Sequence, residues 1–278
     1  MQNTAKPEKE ISAIMRVEGG LADEGLLDIY DASKMLYGLA RSLNIVGHAF
    51  ANNEEVRSRA HNAQGIQVLI NSSRKGCFEE QFDIRFSNKV SNRIGSSVIG
   101  NNFWDYLQYS FHAAVGTPYE ATTSHLKKII LKDPEYQYII GDALEAALFD
   151  LHKPVSRESN VKIIFSRPRI GDIFELNTST FEYISLREER TEKFTLTGNV
   201  TRYNVLSDFG RVYSDEKEMV ISFKLANSDD AESRRMVVQS MQDHVNGDSG
   251  KLFFTVSEIV NSQGEVKRYI VYKVSTRD

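Results

Sequence analysis

Basic and aromatic side chains adjoin one another on predicted strands in the last 86 residues of the chain. Arg202 and Tyr203 are neighbours in one predicted strand, and Lys267, Arg268 and Tyr269 are neighbours in another. Proteins that bind single-stranded nucleic acid stack bases on aromatic rings along a groove of basic side chains. The residues that could form such a site are Arg202, Tyr203, Arg211, Lys267, Arg268 and Tyr269.

The charge balance of this region favours other partners. Residues 193–278 contain 12 Lys or Arg and 12 Asp or Glu, and the whole chain has a formal net charge of −4. A general nucleic-acid binder is more basic, because its affinity comes from neutralising phosphates. We therefore expect a protein partner or a second copy of the chain ahead of single-stranded nucleic acid.

Side chains that hold metal ions are sparsely distributed. No two histidines are three or four residues apart; they are His48, His61, His112, His125, His152 and His244. The one cysteine, Cys77, has no Cys-x-x-Cys partner, whereas structural zinc needs four converging ligands. We predict no metal and no cofactor, and we interpret Cys77, which precedes Phe78 on a predicted strand, as a buried structural thiol.

Other catalytic patterns are weak or missing. The sequence has no Gly-x-Ser-x-Gly elbow and no Walker-type phosphate loop. Residues 17–25 are rich in glycine, but Glu18, Asp23 and Glu24 would repel an anion, so a tight connection is predicted there.

Acidic groups leave a nuclease as the alternative to a binding protein. Glu265-Val266-Lys267, with Asp248 upstream, could form the carboxylate and lysine set of a metal-dependent nuclease. A second group contains Glu79, Glu80 and Asp83. Alternation along a strand places Glu79 and Asp83 on one face, where we expect them to be solvated.

The elements that must position the basic residues are strands. Strands are predicted at 194–203, 210–213, 219–225, 251–260 and 265–274, with a helix at 231–244 before the last two. Three strands, a helix and a two-strand hairpin is the element order of an OB-like barrel. A small closed β-barrel, either OB-like or of another type, is therefore predicted at the C-terminus.

The N-terminal region shows mixed strand and helix patterns. Alternating apolar residues predict a strand over 11–17, and an apolar stripe predicts a helix from about Asp28, its N-cap, to Phe50. A hairpin follows at 66–86, and then come helices at 103–115, 122–132 and from Pro134, the expected first helical residue, to about 151. Gly38 and Gly47 lie inside the predicted helix from Asp28 to Phe50, so either another element packs closely against them or the helix is less regular towards its ends.

The 103–115 helix carries apolar residues on most of its sides. This pattern is typical of a central helix or of a helix at an oligomer contact. Taken together, the patterns predict an α+β fold with an N-terminal mixed strand and helix region and a small C-terminal barrel.

A run of charged residues separates the two regions. Six of the seven residues in 187–193 are charged, which is typical of a solvated connector. We place an α+β domain at 1–190 and the barrel at 191–278.

Location is inferred from the chain start and from apolar content. The first ten residues are polar and lack the apolar core of a signal peptide, and no apolar stretch is long enough to span a bilayer. A cytoplasmic protein that does not bind membranes is expected.

Four stretches resemble a group of bacterial proteins of similar length and unknown function. They are Val17–Ala32, Gly38–Asn44, Gly198–Asn204 and Val266–Val271, so the resemblance spans both regions. It implies no activity and no site residues. Families of this kind are often carried on mobile elements or in phage-defence loci, so phage defence is the pathway that the resemblance implies.

These observations favour a non-enzymatic binding or assembly protein whose barrel engages a protein or nucleic-acid partner. The alternative is a nuclease or nucleotide-processing enzyme whose site assembles from residues that are distant in sequence.

Overall fold

The protein divides into two compact units, Met1–Ser185 and Leu186–Asp278. The structure is a computed structural model, which describes residues 9–58, 63–71, 78–134, 136–185, 188–205, 208–227, 230–260, 264 and 266–276.

The N-terminal unit combines an antiparallel sheet with helices. In chain order its elements are β1 (Lys9–Glu18), α1 (Ile29–Ala51), β2 (Ile66–Ile70), β3 (Phe78–Phe86), α2 (Asn88–Ile94), α3 (Ile99–Val115), α4 (Ser124–Lys132), α5 (Tyr136–Leu151), β4 (Lys162–Arg167), β5 (Gly171–Leu176) and α6 (Thr178–Ser185). The described strands form one sheet in the order β2-β3-β1-β4-β5. The predicted strand, helix and hairpin at the start of this unit are confirmed.

One face of this sheet forms the core with the helices. Along β1, Ala13, Met15 and Val17 are buried, and Phe82 and Ile84 on β3 lie in the same apolar cluster. The intervening residues face away from the helices, as the period of two along a strand requires. The sheet therefore keeps one polar face outside the core.

Close backbone contacts explain two glycines. A Cβ atom at Gly38 would lie 2.3 Å from the Leu151 nitrogen, which confirms close packing, the first of the two alternatives, at that position on α1. A Cβ at Gly19, where φ is 93°, would lie 2.2 Å from the Asn160 carbonyl oxygen. The glycine-rich connection is therefore tight, as predicted.

Helix ends follow their sequence signals with one exception. Asp28 is the N-cap of α1, and its carboxylate accepts hydrogen bonds from the backbone nitrogens of Tyr30 and Asp31. The prediction that Pro134 is the first residue of α5 is wrong, because the helix begins at Tyr136 and Pro134 lies in the preceding turn.

Helix α3 is central in its unit. Phe103, Tyr106, Leu107 and Phe111 are each at most 1% exposed, and Phe103 contacts Phe50 edge-on at 5.2 Å between ring centroids. The aromatic residues of α3 are therefore buried in the core of the unit, as expected for a central helix.

The C-terminal unit is a closed barrel. Its elements are β6 (Glu188–Glu189), β7 (Phe194–Asn204), β8 (Phe209–Ser214), β9 (Met219–Leu225), α7 (Ala231–Asn246), β10 (Leu252–Val260) and β11 (Val266–Ser275). The described strands β7, β8 and β9 form an antiparallel meander, β10 pairs with β7 and β11, and β11 pairs in parallel with β9. The predicted small barrel is confirmed, and its pairing and helix position are OB-like.

Polar contacts and a buried valine hold helix α7 against the barrel. Asp230 caps its N-terminus, and Val237 is fully buried in the barrel core. Arg234 donates two hydrogen bonds, of 2.8 and 2.7 Å, to the buried carboxylate of Asp208. The loop before β8 is thereby tied to the helix.

The charged run before β7 is not a free solvated connector in its described part. Strand β6 pairs with the edge of β10, and Arg190 forms a 2.7 Å ion pair with Glu258. Lys193 lies 3.5 Å from the centre of the Tyr272 ring. These contacts fold the run onto the barrel, and Arg187 lies outside the described residues.

Candidate nucleic-acid interface

Three arginines share one transverse row on the outside of the barrel. Arg202 on β7 is paired with Arg211 on β8, Arg211 with Ser222 on β9, and Ser222 with Arg268 on β11. Residues directly opposite in paired strands project to the same face. The row therefore brings three of the predicted site residues together over three strand intervals, roughly 14 Å.

Strand β8 places aromatic residues on both sides of the central arginine. Phe209, Arg211 and Tyr213 alternate along the strand with inward-facing Gly210 and Val212. Phe209 is half-buried and Tyr213 is 39% exposed, whereas Arg211 is 4% exposed. Arg211 is therefore buried between two aromatic residues, Phe209 and Tyr213, on the same face of the strand.

Two cations flank the Phe209 ring. The Arg268 guanidinium carbon lies 5.1 Å from the ring centroid, and the Lys224 amine lies 5.9 Å from it. Both distances fall within the range of cation–π attraction. The outer-facing positions of this surface, which we call the arginine face, are Arg202, Asn204, Phe209, Arg211, Tyr213, Val220, Ser222, Lys224, Arg268 and Ile270. None of these positions is acidic.

The Tyr203 ring belongs to the other side of the strand. Tyr203 pairs with Gly210 and stacks on the core ring of Phe223, with 6.3 Å between centroids. Its hydroxyl donates a 2.7 Å hydrogen bond to Asp208. Burial, together with this hydrogen bond, raises the pKa of Tyr203 to about 12. The ring therefore packs on the core with its hydroxyl protonated at neutral pH.

Tyr269 also lies away from the arginine face. It is completely buried inside the barrel, and burial is the main cause that raises its pKa to about 12. Lys267 is half-buried and is the extra residue of a β-bulge between Val266 and Arg268, so alternation along β11 assigns it to neither face. The structure thus groups Arg202, Arg211 and Arg268 and separates them from Tyr203 and Tyr269.

Sequence reasoning missed Phe209, Ser222 and Lys224. The predicted strand began at Gly210, whereas β8 begins at Phe209. Extending the strand by one residue would have placed Phe209, Arg211 and Tyr213 in alternation on one face. Pairing of β9 with its neighbours was needed to find Ser222 and Lys224.

The positions of the acidic residues give little support to the nuclease alternative. Glu265 lies outside the described residues, and Asp248 is exposed in the loop after α7. On β3, Glu80 faces the core, whereas Asp83 lies on the polar face and accepts hydrogen bonds from Ser12 and Asn71. The alternation predicted for these acids is confirmed.

Metal ligands do not cluster in the part of the chain that the structure describes, where no group of three or more His, Cys, Asp or Glu could hold an ion. Cys77 and His61 lie outside that part. Within the same residues, no helix is both long and apolar enough to cross a membrane.

Ionisable side chains also converge near the C-terminal end of α1. The hydroxyls of Tyr106 and Tyr136 are hydrogen-bonded to each other, and burial raises the pKa of both groups. Burial raises the pKa of Glu54 as well, although Lys132 and Arg93 act in the opposite direction. The tyrosines stay protonated at neutral pH, so their hydroxyls serve as a polar link between α3 and α5.

Two family models match the chain, and both are described as being of unknown function. One, "Family of unknown function (DUF7947)", matches residues 192–275, and the other, "Domain of unknown function (DUF7946)", matches residues 13–185. Searches of curated proteins and of solved structures return no match. The expected family of unknown function is confirmed, and its bacterial origin stays a prediction. Since the second match spans more than half of the sequence, the chain belongs to the DUF7946 family.

Proposed function

We propose that the C-terminal barrel binds single-stranded nucleic acid through the arginine face. The observation that carries the proposal is the row formed by Arg202, Arg211 and Arg268 beside Phe209 and Tyr213. In OB barrels the face of the second and third strands is the one that binds oligonucleotides, and those strands are β8 and β9 here.

The zero net charge of residues 193–278 does not oppose this proposal. Phosphates respond to the local field, and a surface with several cations can attract an anion although the net charge of the whole unit is zero. Two acids of the unit are engaged away from the arginine face, because Asp208 pairs with Arg234 and Glu258 pairs with Arg190. The exposed ring of Tyr213 and the half-buried ring of Phe209 favour a single strand, whose unstacked bases present their faces.

The test is fluorescence anisotropy of labelled single-stranded DNA and RNA with the full-length protein over a salt series. Salt-sensitive binding is expected, with duplex of the same sequence binding more weakly. The double variant Arg202→Ala, Arg268→Ala should lower the slope of log K against log salt by about 1.4, since each phosphate contact on a single strand contributes about 0.7.

The matched control removes arginines from the N-terminal sheet. Arg16→Ala with Arg85→Ala changes the net charge by the same amount, but both residues pair with acids there. This control should bind like the wild type. Absence of binding at micromolar protein and low salt, or an equal loss in both double variants, would refute the proposal and direct attention to a protein partner.

We further propose the cytoplasm as the location. One cysteine in the whole sequence precludes an internal disulfide, which is typical of proteins from reducing compartments. A role in phage defence is a prediction that depends on the resemblance alone.

A further inference from the structure

Exposed apolar side chains are concentrated at the start of α1. Ile29 is 86% exposed, Leu26 56%, Tyr30 53% and Tyr37 48%. Single exposed apolar residues are ordinary, whereas neighbouring ones are typical of protein interaction sites.

Helix geometry joins these residues into one surface. Tyr30, Lys34, Tyr37 and Arg41 are spaced by four, three and four residues, so they lie along one side of α1. We call these four residues, together with Leu26 and Ile29, the α1 stripe. Tyrosine and arginine are the residues that most often dominate binding energy at protein interfaces.

Neighbouring side chains hold the stripe in place. The Arg41 guanidinium lies 5.4 Å from the Tyr37 ring and forms a 3.1 Å ion pair with Asp150 on α5. The Lys153 amine lies 5.9 Å from the Tyr30 ring. Because these contacts already order the side chains, a partner would find the surface largely preformed.

Charge is divided along the stripe. The exposed acids Asp23, Glu24 and Asp28 lie at or before the N-terminus of α1, and the cations Lys34 and Arg41 lie further along the helix. A polyanion would be repelled by the acidic end. A second copy in antiparallel orientation would instead place acidic end against basic side at two equivalent positions, as an isologous interface requires.

We infer that the α1 stripe is a two-fold interface between two copies of this chain. With the axis close to Ile29, the most exposed apolar residue of the stripe contacts its own counterpart, and Glu24 of one copy faces Lys34 of the other. The inference concerns the N-terminal unit and does not depend on nucleic-acid binding.

The oligomeric state tests it, by sedimentation velocity of the full-length protein at micromolar concentrations. The wild type should be a dimer, and Ile29→Glu should shift it to monomer. Leu131→Glu is the matched control, because Leu131 on α4 is 84% exposed and lies outside the stripe. Emission of Trp104, the one tryptophan in the sequence, checks that each variant is folded.

Charge exchange tests the orientation. Glu24→Lys alone and Lys34→Glu alone should each weaken the dimer by up to about 25-fold, because each variant loses two symmetry-related exposed ion pairs that contribute up to about fivefold each. An equimolar mixture of the two variants should recover wild-type affinity for the mixed dimer. A monomeric wild type, or equal effects of Ile29→Glu and Leu131→Glu on the oligomeric state, would overturn the inference.

Discussion

The polar face of the N-terminal sheet and the arginine face of the barrel use charged residues in opposite ways. On the N-terminal sheet, Arg16 lies 2.7 Å from both Glu18 and Asp172, and Lys162 lies between Glu18 and Glu175. Arg16 and Lys162 thus each have two acids as neighbours within the sheet. Such a face is close to neutral over short distances, and it attracts charged ligands weakly.

The barrel sets cations beside aromatic rings. Arg202, Arg211 and Arg268 share a register row, and Phe209 and Tyr213 flank its centre. The number of charges is therefore a poor guide to function, because both units contain many acids and bases. What differs is which charges the strand register makes neighbours.

Phe209→Ala should produce the largest change on the arginine face. Removing one stacking platform costs about 1–3 kcal/mol per base, so affinity for single-stranded nucleic acid should fall by roughly 5- to 150-fold. The salt slope should stay the same, because no charge is removed, and Phe209→Tyr should retain most of the affinity. Anisotropy titrations at two salt concentrations measure both quantities. A reduced slope in Phe209→Ala would mean that the ring mainly positions Arg268.

Arg202→Ala should have a smaller effect of a different kind. The salt slope should fall by about 0.7, with the affinity reduced several-fold at low salt. Arg16→Ala should leave both values unchanged, because Arg16 is bound to Glu18 and Asp172. If Arg16→Ala weakens binding as much as Arg202→Ala, the contrast between the two faces is wrong.

Tyr203→Phe should separate stability from binding. Loss of the hydrogen bond to Asp208 should lower the free energy of unfolding of the barrel by about 1 kcal/mol. Nucleic-acid affinity should not change, since the ring packs on Phe223 inside the barrel. Urea unfolding followed by circular dichroism measures the first effect and anisotropy the second. Weaker binding with unchanged stability would mean that Tyr203 belongs to the binding site.

The smallest effect concerns pH. Hydrogen bonds from Arg16 and Ser166 lower the pKa of Asp172 to about 2. A lowered pKa in the folded state gives stability that is present above the ordinary value near 3.9 and is lost as the pH falls towards 2. In Arg16→Ala the pKa of Asp172 should rise, so part of this acid dependence should disappear. Carboxyl-carbon NMR titration measures the shift. Arg85→Ala, whose partner is Glu10, is the control and should not move it.

The elements of the barrel could be predicted from sequence, but the face that each residue occupies could not. Strict alternation from the buried Leu196 and Val200 would point Arg202 inwards and Tyr203 outwards. A β-bulge between Val200 and Arg202 inserts one extra residue and reverses this assignment. Bulges depend on the pairing of two strands, so the pattern of one strand does not reveal them.

Long-range contacts set a similar limit in the N-terminal unit. The helix cap at Asp28 and the close approach at Gly38 were predictable, because local residue types signal both. The hydroxyl contact between Tyr106 and Tyr136 joins two helices, and no local pattern indicates it. The α1 stripe was not predicted from sequence, because its exposure depends on how α5 packs against α1.

The parallel pairing of β11 with β9 has a consequence for synthesis. Arg268 reaches the row only when β11 docks beside Ser222, and β11 follows every other strand of the barrel in the chain. Until the ribosome has released that strand, the emerging barrel lacks one of its three arginines and has an open edge. The proposed binding surface is thus completed last, at the same step that closes the barrel.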